Sequence, residues 1–330
     1  MAVRLGLLFL GLLVLGTKAL AAEEPLFTTS VGGMDCTVEQ LIGTDDARFQ
    51  VQGVSTDGVW LSYTEEYGKT DDGTPIRTIF LLNLVTGEKV ELIDTITNSG
   101  AFSPDGRFLV SAFEVDSDRT DIWEIDIETQ SLTPIALHGQ WDWLPSYSPD
   151  GSAILFNSYR IDGQSEIFLY DRESEALRQM TDDPRYDAHA EFSPDGSKIL
   201  FHRMIAVKDE GGYDFELFVI DVASGDTQQV TPGSPFEESY ASWAPDGEHV
   251  VFSSDQNGKP EKHNLYILSP DGKIVSRLTK GEWKDSYAFW TKDGKYIYFN
   301  SDRSGTANVH RMPMDGLTCV KAKAGLTEAR

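Results

Sequence analysis

Basic residues are scarce in this chain. Lys and Arg together number 28 against 53 Asp and Glu, which makes the formal net charge −25 at pH 7. A field of this sign repels nucleic acid and anionic lipid, and it attracts cationic partners. The composition therefore excludes a nucleic-acid partner and favours a basic one.

The chain also lacks the short motifs that mark common catalytic and zinc sites. Neither the G-x-S-x-G nucleophile elbow nor the H-E-x-x-H motif occurs in the sequence. The stretch from Asp116 to Asp121 has spaced carboxylates, but it lacks the glycine and the terminal glutamate of a calcium loop. We therefore predict a protein without catalysis or cofactor, with Ca²⁺ held by clustered carboxylates as the alternative.

The long apolar run of the sequence lies at its amino terminus. Arg4 precedes an apolar stretch over residues 5–16, and Lys18 is followed by small residues that end at Ala21. Such a run is too short to span a bilayer and is typical of a secretory signal peptide, here over residues 1–21. We expect export to a periplasm or to the medium, no membrane span, and a lead over residues 22–35 before the folded part.

A recurrent tetrapeptide is the strongest pattern in the sequence. Ser-Pro-Asp-Gly occurs at 103–106, 148–151 and 193–196, and related tetrapeptides occur at 55–58, 244–247 and 291–294. The aspartates of this series are 45 to 51 residues apart. Proline and glycine favour a tight turn between two strands, and a period of about 40 to 50 residues is typical of propeller blades. Each tetrapeptide therefore marks one repeated unit.

Each of the first five units contains four runs of β-forming residues, one before the tetrapeptide and three after it. The series predicts an all-β protein, a six-bladed β-propeller of four-stranded antiparallel blades over residues 36–320, with a tail over residues 321–330. The last unit lacks a fourth strand, whereas residues 37–42 resemble the fourth strands of other units. We therefore predict that the amino-terminal strand completes the last blade and closes the ring.

The two cysteines lie at opposite ends of the repeated region. Cys36 directly precedes the predicted closing strand, and Cys319 follows the third strand of the last unit. An oxidising compartment favours a disulfide between them, which would clamp the ring. The alternative is two unrelated thiols.

Candidate binding residues follow from positions along the innermost strands. In four consecutive units an aromatic residue directly precedes the turn, and an acidic residue stands five positions before that aromatic residue. Three positions before it, three of these units carry a histidine or a tyrosine. Side chains alternate along a strand, so these positions project to one side and predict an acidic channel mouth with aromatic contacts. The predicted site residues are Asp142, Trp143, Asp187, His189, Glu238, Tyr240, Asp285 and Tyr287. Loops expected on the same face add Glu65, Glu66, Asp71, Asp72, Asp116, Asp118, Asp121, Asp209 and Glu210.

The run from Ala101 to Phe108, its relatives in the other units and the stretch from Ser301 to Gly305 resemble the WD40-like repeat of the TolB propeller family. The resemblance covers about residues 36–316, and the same repeat is found in the propellers of prolyl oligopeptidase-type peptidases. The α/β domain that precedes the TolB propeller and the hydrolase domain of the peptidases have no counterpart in this sequence. The expected similarity is therefore to the propeller part alone.

A propeller of this kind, with an acidic mouth, predicts a non-catalytic binding or scaffold module. We expect a monomer that takes an envelope protein or peptide at the channel mouth. The alternative is a hydrolase or lyase that acts on a polysaccharide or peptide at the same mouth, with His189, Asp187 and Glu238 as acid-base groups.

Overall fold

The computed structural model describes residues 27–28, 36–44, 47–69, 75–95, 97–113, 119–208, 212–231, 233, 236–256 and 262–320. Every element of regular secondary structure within these ranges is a β-strand. The predicted signal peptide, most of the lead and the tail lie outside the described residues, as do Asp71, Asp72, Asp116, Asp118, Asp209 and Glu210.

The strands form six sheets, and five of these consist of four strands that are consecutive along the chain. The first two strands, β1 (Phe27–Thr28) and β2 (Thr37–Ile42), belong to the last sheet. Blade one contains β3 (Arg48–Val54), β4 (Trp60–Lys69), β5 (Pro75–Asn83) and β6 (Lys89–Thr95). Blade two contains β7 (Thr97–Phe102), β8 (Phe108–Phe113), β9 (Asp121–Asp126) and β10 (Leu132–Ala136). Blade three contains β11 (Asp142–Tyr147), β12 (Ala153–Ser158), β13 (Glu166–Asp171) and β14 (Leu177–Gln179).

The second half of the chain continues the same order. Blade four contains β15 (Asp187–Phe192), β16 (Lys198–Val207), β17 (Tyr213–Asp221) and β18 (Thr227–Gln229). Blade five contains β19 (Glu238–Trp243), β20 (Val250–Ser254), β21 (Asn264–Leu268) and β22 (Ile274–Arg277). Blade six contains β23 (Asp285–Trp290), β24 (Tyr296–Ser304) and β25 (Thr306–Asp315), with β26 (Thr318–Cys319) after them. Neighbouring strands within each blade are antiparallel, so the predicted six-bladed propeller is confirmed.

The amino-terminal strand β2 completes blade six. Glu39 and Gln40 pair with Arg311 and His310 of β25, and β25 pairs in turn with β24. The predicted ring closure is therefore confirmed. Two short strands that the sequence pattern did not predict extend this blade, since β1 pairs with β2 and β26 pairs with β25.

Cys36 and Cys319 form a disulfide bond at this closure, as predicted. Their Cα atoms lie 5.4 Å apart, and the bond joins positions that are 283 residues apart in sequence. Both residues are buried in an apolar cluster that also contains Val251 of blade five and Ile297 of blade six. The bond therefore holds the first strand of the ring against the last.

The tetrapeptides form the turns between the first and second strands of the blades. In blade two, the Gly106 amide donates to the Ser103 carbonyl oxygen, and the Phe108 amide donates to the Ser103 hydroxyl. Gly106 has a φ of 73°, a left-handed conformation that glycine adopts at little cost. A further Ser-Pro-Asp-Gly, at 269–272, makes a similar turn between β21 and β22. The tetrapeptide therefore encodes a hairpin turn, and the flanking strands decide its place in the blade.

The core lies between neighbouring blades. Every residue of β12 is buried, because the second strand of a blade has a sheet packed against each of its faces. Val110 and Ile122 of blade two pack with Phe156 and Phe168 of blade three in one cluster, and comparable clusters occur between other blade pairs. This packing holds the innermost strands, which surround the central channel, in fixed positions.

Candidate functional site

The channel has two mouths with different linings. We call the end where the innermost strands β11, β15, β19 and β23 begin the upper mouth, and the end at the turns 55–58, 103–106, 148–151, 193–196, 244–247 and 291–294 the lower mouth. The sequence predicted a binding site at the upper mouth. The structure places the predicted residues there or at mid-channel, but with a different exposure.

The acids of the upper mouth are buried, which corrects the expected open acidic rim. Asp142, Asp187 and Asp285 have no exposed surface, and Glu238 is 5% exposed. Arginines of the same blades neutralise three of them: Arg160 donates to Asp142 at 2.8 Å, and Arg303 donates to Asp285 at 2.7 Å. Arg203 makes two hydrogen bonds of 2.6 Å to Asp187. Buried carboxylates require such partners because desolvation of an unpaired charge is costly.

Each of these arginines lies between aromatic side chains. The guanidinium carbon of Arg160 is 4.9 Å from the Phe156 ring centre and 5.0 Å from that of Phe168. Arg203 has the same relationship to two phenylalanines of blade four, and Arg303 lies near Trp283 and Phe299. Burial raises the pKa of Asp142 to about 6, and Arg160 opposes that rise, so the carboxyl is ionised at neutral pH. The repeated ion pairs give this mouth a rigid frame.

Sequence reasoning did not find these arginines. Each follows its acid by 16 or 18 residues in the same blade, and this spacing was available as a signal. Blade five departs from this spacing. The position of Arg160 in blade three, two residues after Ser158, is occupied in blade five by Gln256, two residues after Ser254. The acid of that blade, Glu238, correspondingly lacks an arginine at this spacing.

Three predicted residues, His189, Tyr240 and Tyr287, meet in the centre of the channel. Their ring centres are 5.3 Å apart for His189 and Tyr240, 5.7 Å for His189 and Tyr287, and 4.1 Å for the two tyrosines. All three are half-buried, and burial lowers the pKa of His189 to about 4. The histidine is therefore neutral at physiological pH.

The backbone at these positions is unusual. His189, Tyr240, Tyr287 and the equivalent Leu144 have φ values of 62°, 51°, 52° and 51°. At each of them the pairing between the first two strands of the blade shifts register. A bulge of this kind re-aims a side chain, and non-glycine residues in the left-handed region are often found at functional sites. Four consecutive blades thus use the same bulge at the channel.

A second group of aromatic residues leads from the upper mouth outward. Its members, which we call the aromatic row, are Trp143, Tyr159, Tyr186, Phe215 and Tyr213. Trp143 lies 4.5 Å from Tyr159 and 6.4 Å from Tyr186 by ring centres, and Phe215 lies 6.1 Å from Tyr186 and 6.0 Å from Tyr213. Tyr213 is 51% exposed. Phe215 also contacts His202, whose ring is 5.8 Å from His189, so the row connects to the central group.

Of the aromatic row, the sequence predicted only Trp143. The other members come from the loop after β12, the residue before β15 and the start of β17, so no period along the chain relates them. Their proximity depends on the packing of blade three against blade four, which was not predictable from residue spacing.

A cavity opens at the lower mouth, at the end of the channel opposite to the predicted site. Its volume is about 460 Å³, and it reaches inward to Leu144, His189 and Tyr287. In each blade, the residue two positions before the turn tetrapeptide lines this cavity. These residues are Gly53, Ala101, Ser146, Glu191, Ser242 and Phe289. Sequence reasoning missed this cavity because it considered only the opposite end of the strands.

Two members of the acid-base group suggested for the alternative enzyme, Asp187 and His189, contact other side chains. Both carboxylate oxygens of Asp187 bond to Arg203, and the His189 ring contacts the rings of Tyr240, Tyr287 and His202. Within the described ranges, no three His, Cys, Asp or Glu side chains are grouped so that they could hold a metal ion. Asp116 and Asp118 lie outside those ranges, so calcium binding stays a prediction. The described residues also contain no helix suited to span a membrane.

Comparison with known proteins agrees with the fold. The model of the TolB β-propeller domain matches residues 34–261. A solved structure of TolB from Acinetobacter baumannii is 18% identical with a TM-score of 0.57, and the match covers 84% of this chain and 66% of that protein. A putative TolB from Agrobacterium tumefaciens is 21% identical with a TM-score of 0.60, covering 74% and 87% of the two chains. An oligogalacturonate lyase from Vibrio parahaemolyticus is 14% identical with a TM-score of 0.57, covering 88% and 96%. At these identities the solved structures indicate the fold alone.

Proposed function

Because this chain belongs to the TolB β-propeller domain family, we propose that it is an exported, non-catalytic binding module for a protein or peptide partner. The partner contacts the upper mouth through aromatic side chains, and the predicted residues Trp143, His189, Tyr240 and Tyr287 form part of that surface. The buried acids Asp142, Asp187, Glu238 and Asp285 act as its frame. The strongly negative net charge favours a basic partner.

The aromatic row is the observation that supports this proposal. It runs from the exposed Tyr213 through Phe215 and Tyr186 to Trp143, and it is continuous by ring contact. Tyrosine and tryptophan provide large contact areas at low entropic cost and are enriched in binding hot spots. The ion pairs beneath it hold the surface in one conformation, which reduces the entropy lost on binding.

The proposal is tested by capture from an envelope extract with the mature chain as bait. We expect a specific protein to be retained by the parent and identified by mass spectrometry. With the purified partner, Trp143→Ala and Tyr213→Ala should each weaken binding by about tenfold or more. Leu177→Ala is the matched control, because Leu177 is 41% exposed but lies on the outermost strand of blade three.

Equal binding by all three variants would contradict a role for the upper mouth. Thermal unfolding of each variant checks that weaker binding does not reflect a loss of folded protein. Capture that is strong at low salt and weak at high salt would further support a basic partner, since exposed charges are screened by salt.

A second candidate is a hydrolase or lyase that acts on a polysaccharide or peptide. The observation in its favour is His189, a histidine inside the channel beside Tyr240 and Tyr287, because histidine is the side chain that most often serves as a general acid or base. Turnover of cell-wall or polysaccharide fragments that disappears in His189→Ala would support this function over pure binding.

A further inference from the structure

The six blades serve as an internal comparison for the cavity at the lower mouth. Two positions before the turn tetrapeptide, five blades carry an uncharged residue and blade four carries Glu191. The five uncharged residues are Gly53, Ala101, Ser146, Ser242 and Phe289. At the second position of the turns, four blades carry proline and blade one carries Thr56, whereas blade six carries Lys292. Two blades thus bring opposite charges to one cavity, at positions where the other blades have uncharged residues.

Glu191 lies in the wall of the cavity and is partly buried. The Ser242 hydroxyl donates to its carboxylate at 3.3 Å. Burial raises the pKa of Glu191 to about 7, and the positive charge of Lys292 opposes that rise. A carboxyl in this state gains from any cationic group that enters the cavity, because the cation restores the interactions lost with water.

Lys292 carries the opposite charge, and its side chain is partly exposed at the lower mouth. Its Nζ lies 3.5 Å from the Thr56 hydroxyl, and burial lowers its pKa while Glu191 opposes that change. Within the described part of the chain, Lys292 and Glu191 influence each other electrostatically but are not joined in an ion pair. Each charge therefore has capacity for a partner of opposite sign.

The rest of the lining adds a polar donor and apolar walls. The Nε2 of Gln52 is buried and has no hydrogen-bond partner among the described residues. A buried donor in this condition is costly unless an acceptor reaches it. Phe289 and Tyr298 form a stacked pair in the wall with ring centres 5.5 Å apart. The cavity thus offers an apolar surface beside the two charges.

We propose that the cavity at the lower mouth binds a small zwitterion with an apolar side chain, whose ammonium group contacts Glu191 and whose carboxylate contacts Lys292. A volume of about 460 Å³ lies in the range of small-ligand sites. A free amino acid and a short peptide share this chemistry. The site goes beyond the proposed function, which places the partner at the opposite mouth, although the cavity reaches His189 and Tyr287 at mid-channel.

Calorimetric titration of the mature chain tests this proposal. The probes are leucine, dileucine, trileucine, N-acetyl-dileucine and dileucine amide. We expect the parent to bind at least one free zwitterion, and to bind the acetylated and amidated forms at least tenfold more weakly. Tighter binding of leucine identifies a free amino acid as the source, and tighter binding of dileucine or trileucine identifies a short peptide.

Two variants assign the charges. Glu191→Gln should bind dileucine and N-acetyl-dileucine alike, and Lys292→Met should bind dileucine and its amide alike. Lys295→Met is the control, because Lys295 lies three residues from Lys292 but is not among the residues that line the cavity. That variant should bind as the parent does.

The proposal is overturned if the parent binds none of the probes at millimolar concentration. It is also overturned if neither Glu191→Gln nor Lys292→Met changes the binding. Glu191→Gln preserves side-chain shape, and its thermal unfolding confirms the folded state. Macromolecular capture at the upper mouth should be unaffected by Glu191→Gln, so failure here leaves the proposed function to be decided by its own experiment.

Discussion

Asp187 and Arg203 are joined by two parallel hydrogen bonds of 2.6 Å in a place where the carboxylate has no exposed surface. Arg203 also donates to Asp183 at 3.0 Å and lies over the rings of Phe201 and Phe218. The guanidinium thus connects the first strand of blade four to the second. Its planar fork suits this bidentate geometry, which a lysine would not reproduce.

We expect Arg203→Met to lower the free energy of unfolding by about 3 to 5 kcal/mol, because Asp187 is left as a buried charge without its partner. Urea denaturation followed by fluorescence measures the loss. The double variant Asp187→Asn with Arg203→Met should recover most of it, since the uncompensated charge is then gone. Lys295→Met breaks an exposed ion pair with Asp293, and its loss of unfolding free energy should be too small to resolve. Similar losses in Arg203→Met and Lys295→Met would contradict this account.

The disulfide should matter most for the closure of the ring. Replacing Cys36 and Cys319 together by alanine is expected to lower the free energy of unfolding by about 5 kcal/mol at most, because the bond closes a very long loop in the unfolded chain. Chemical denaturation of the oxidised parent and the variant gives the difference. The reduced parent should behave like the variant, and reduction should not change the variant. An oxidised parent no more stable than the variant would show that strand pairing alone closes the ring.

The serine of a turn tetrapeptide should contribute through its hydroxyl. Ser193 donates to Asp195 at 2.6 Å and accepts from the Lys198 amide at 3.0 Å. We expect Ser193→Ala to cost about 1 kcal/mol of unfolding free energy, the typical worth of such a bond. Ser193→Thr is the control, because Thr291 makes the equivalent bonds in blade six. If the threonine variant is as unstable as the alanine variant, the hydroxyl is not the cause.

His310 should make stability depend on pH. The residue is fully buried, and burial together with the nearby Arg303 lowers its pKa to about 3. Below about pH 6.5 the unfolded chain takes up a proton at this histidine that the folded chain does not. Stability from this residue is therefore present above that pH and is lost as the pH falls toward 3, by up to about 1.4 kcal/mol per pH unit.

Urea denaturation at pH 7, 6 and 5 measures this effect. We expect His310→Gln to show a shallower loss of stability with falling pH than the parent, whatever its stability at pH 7. His138→Gln, a change at an exposed residue, should keep the parental slope. Parallel slopes for all three proteins would show that other buried groups carry the acid sensitivity.

Several features of the fold were predictable from residue types along the chain. Proline and glycine encode the turn at 148–151 through local backbone preferences, and its return in other units revealed the blades. The missing fourth strand of the last unit, together with the strand-like residues 37–42, was sufficient to predict ring closure and to place Cys36 beside Cys319. These conclusions depend on short-range geometry and on counting strands.

The candidate site was only partly predictable, because exposure and pairing are properties of the assembled ring. The spacing of Asp142, Asp187 and Asp285 located them at the upper mouth, but the sequence does not show whether an acidic side chain is exposed to solvent or buried. The sequence likewise contained Tyr186 and Phe215 without relating them, since they approach across two blades.

The amino-acid sequence by itself determined the number of blades, the strand that closes them and the disulfide that clamps the closure, because turns and strand periods are local properties. Only the tertiary structure decided that arginines neutralise the buried acids of the upper mouth and that Glu191 and Lys292 line one cavity at the lower mouth. The physical reason is that the energy of a charge depends on its distance to water and to opposite charges, and these distances exist only once all six blades are packed.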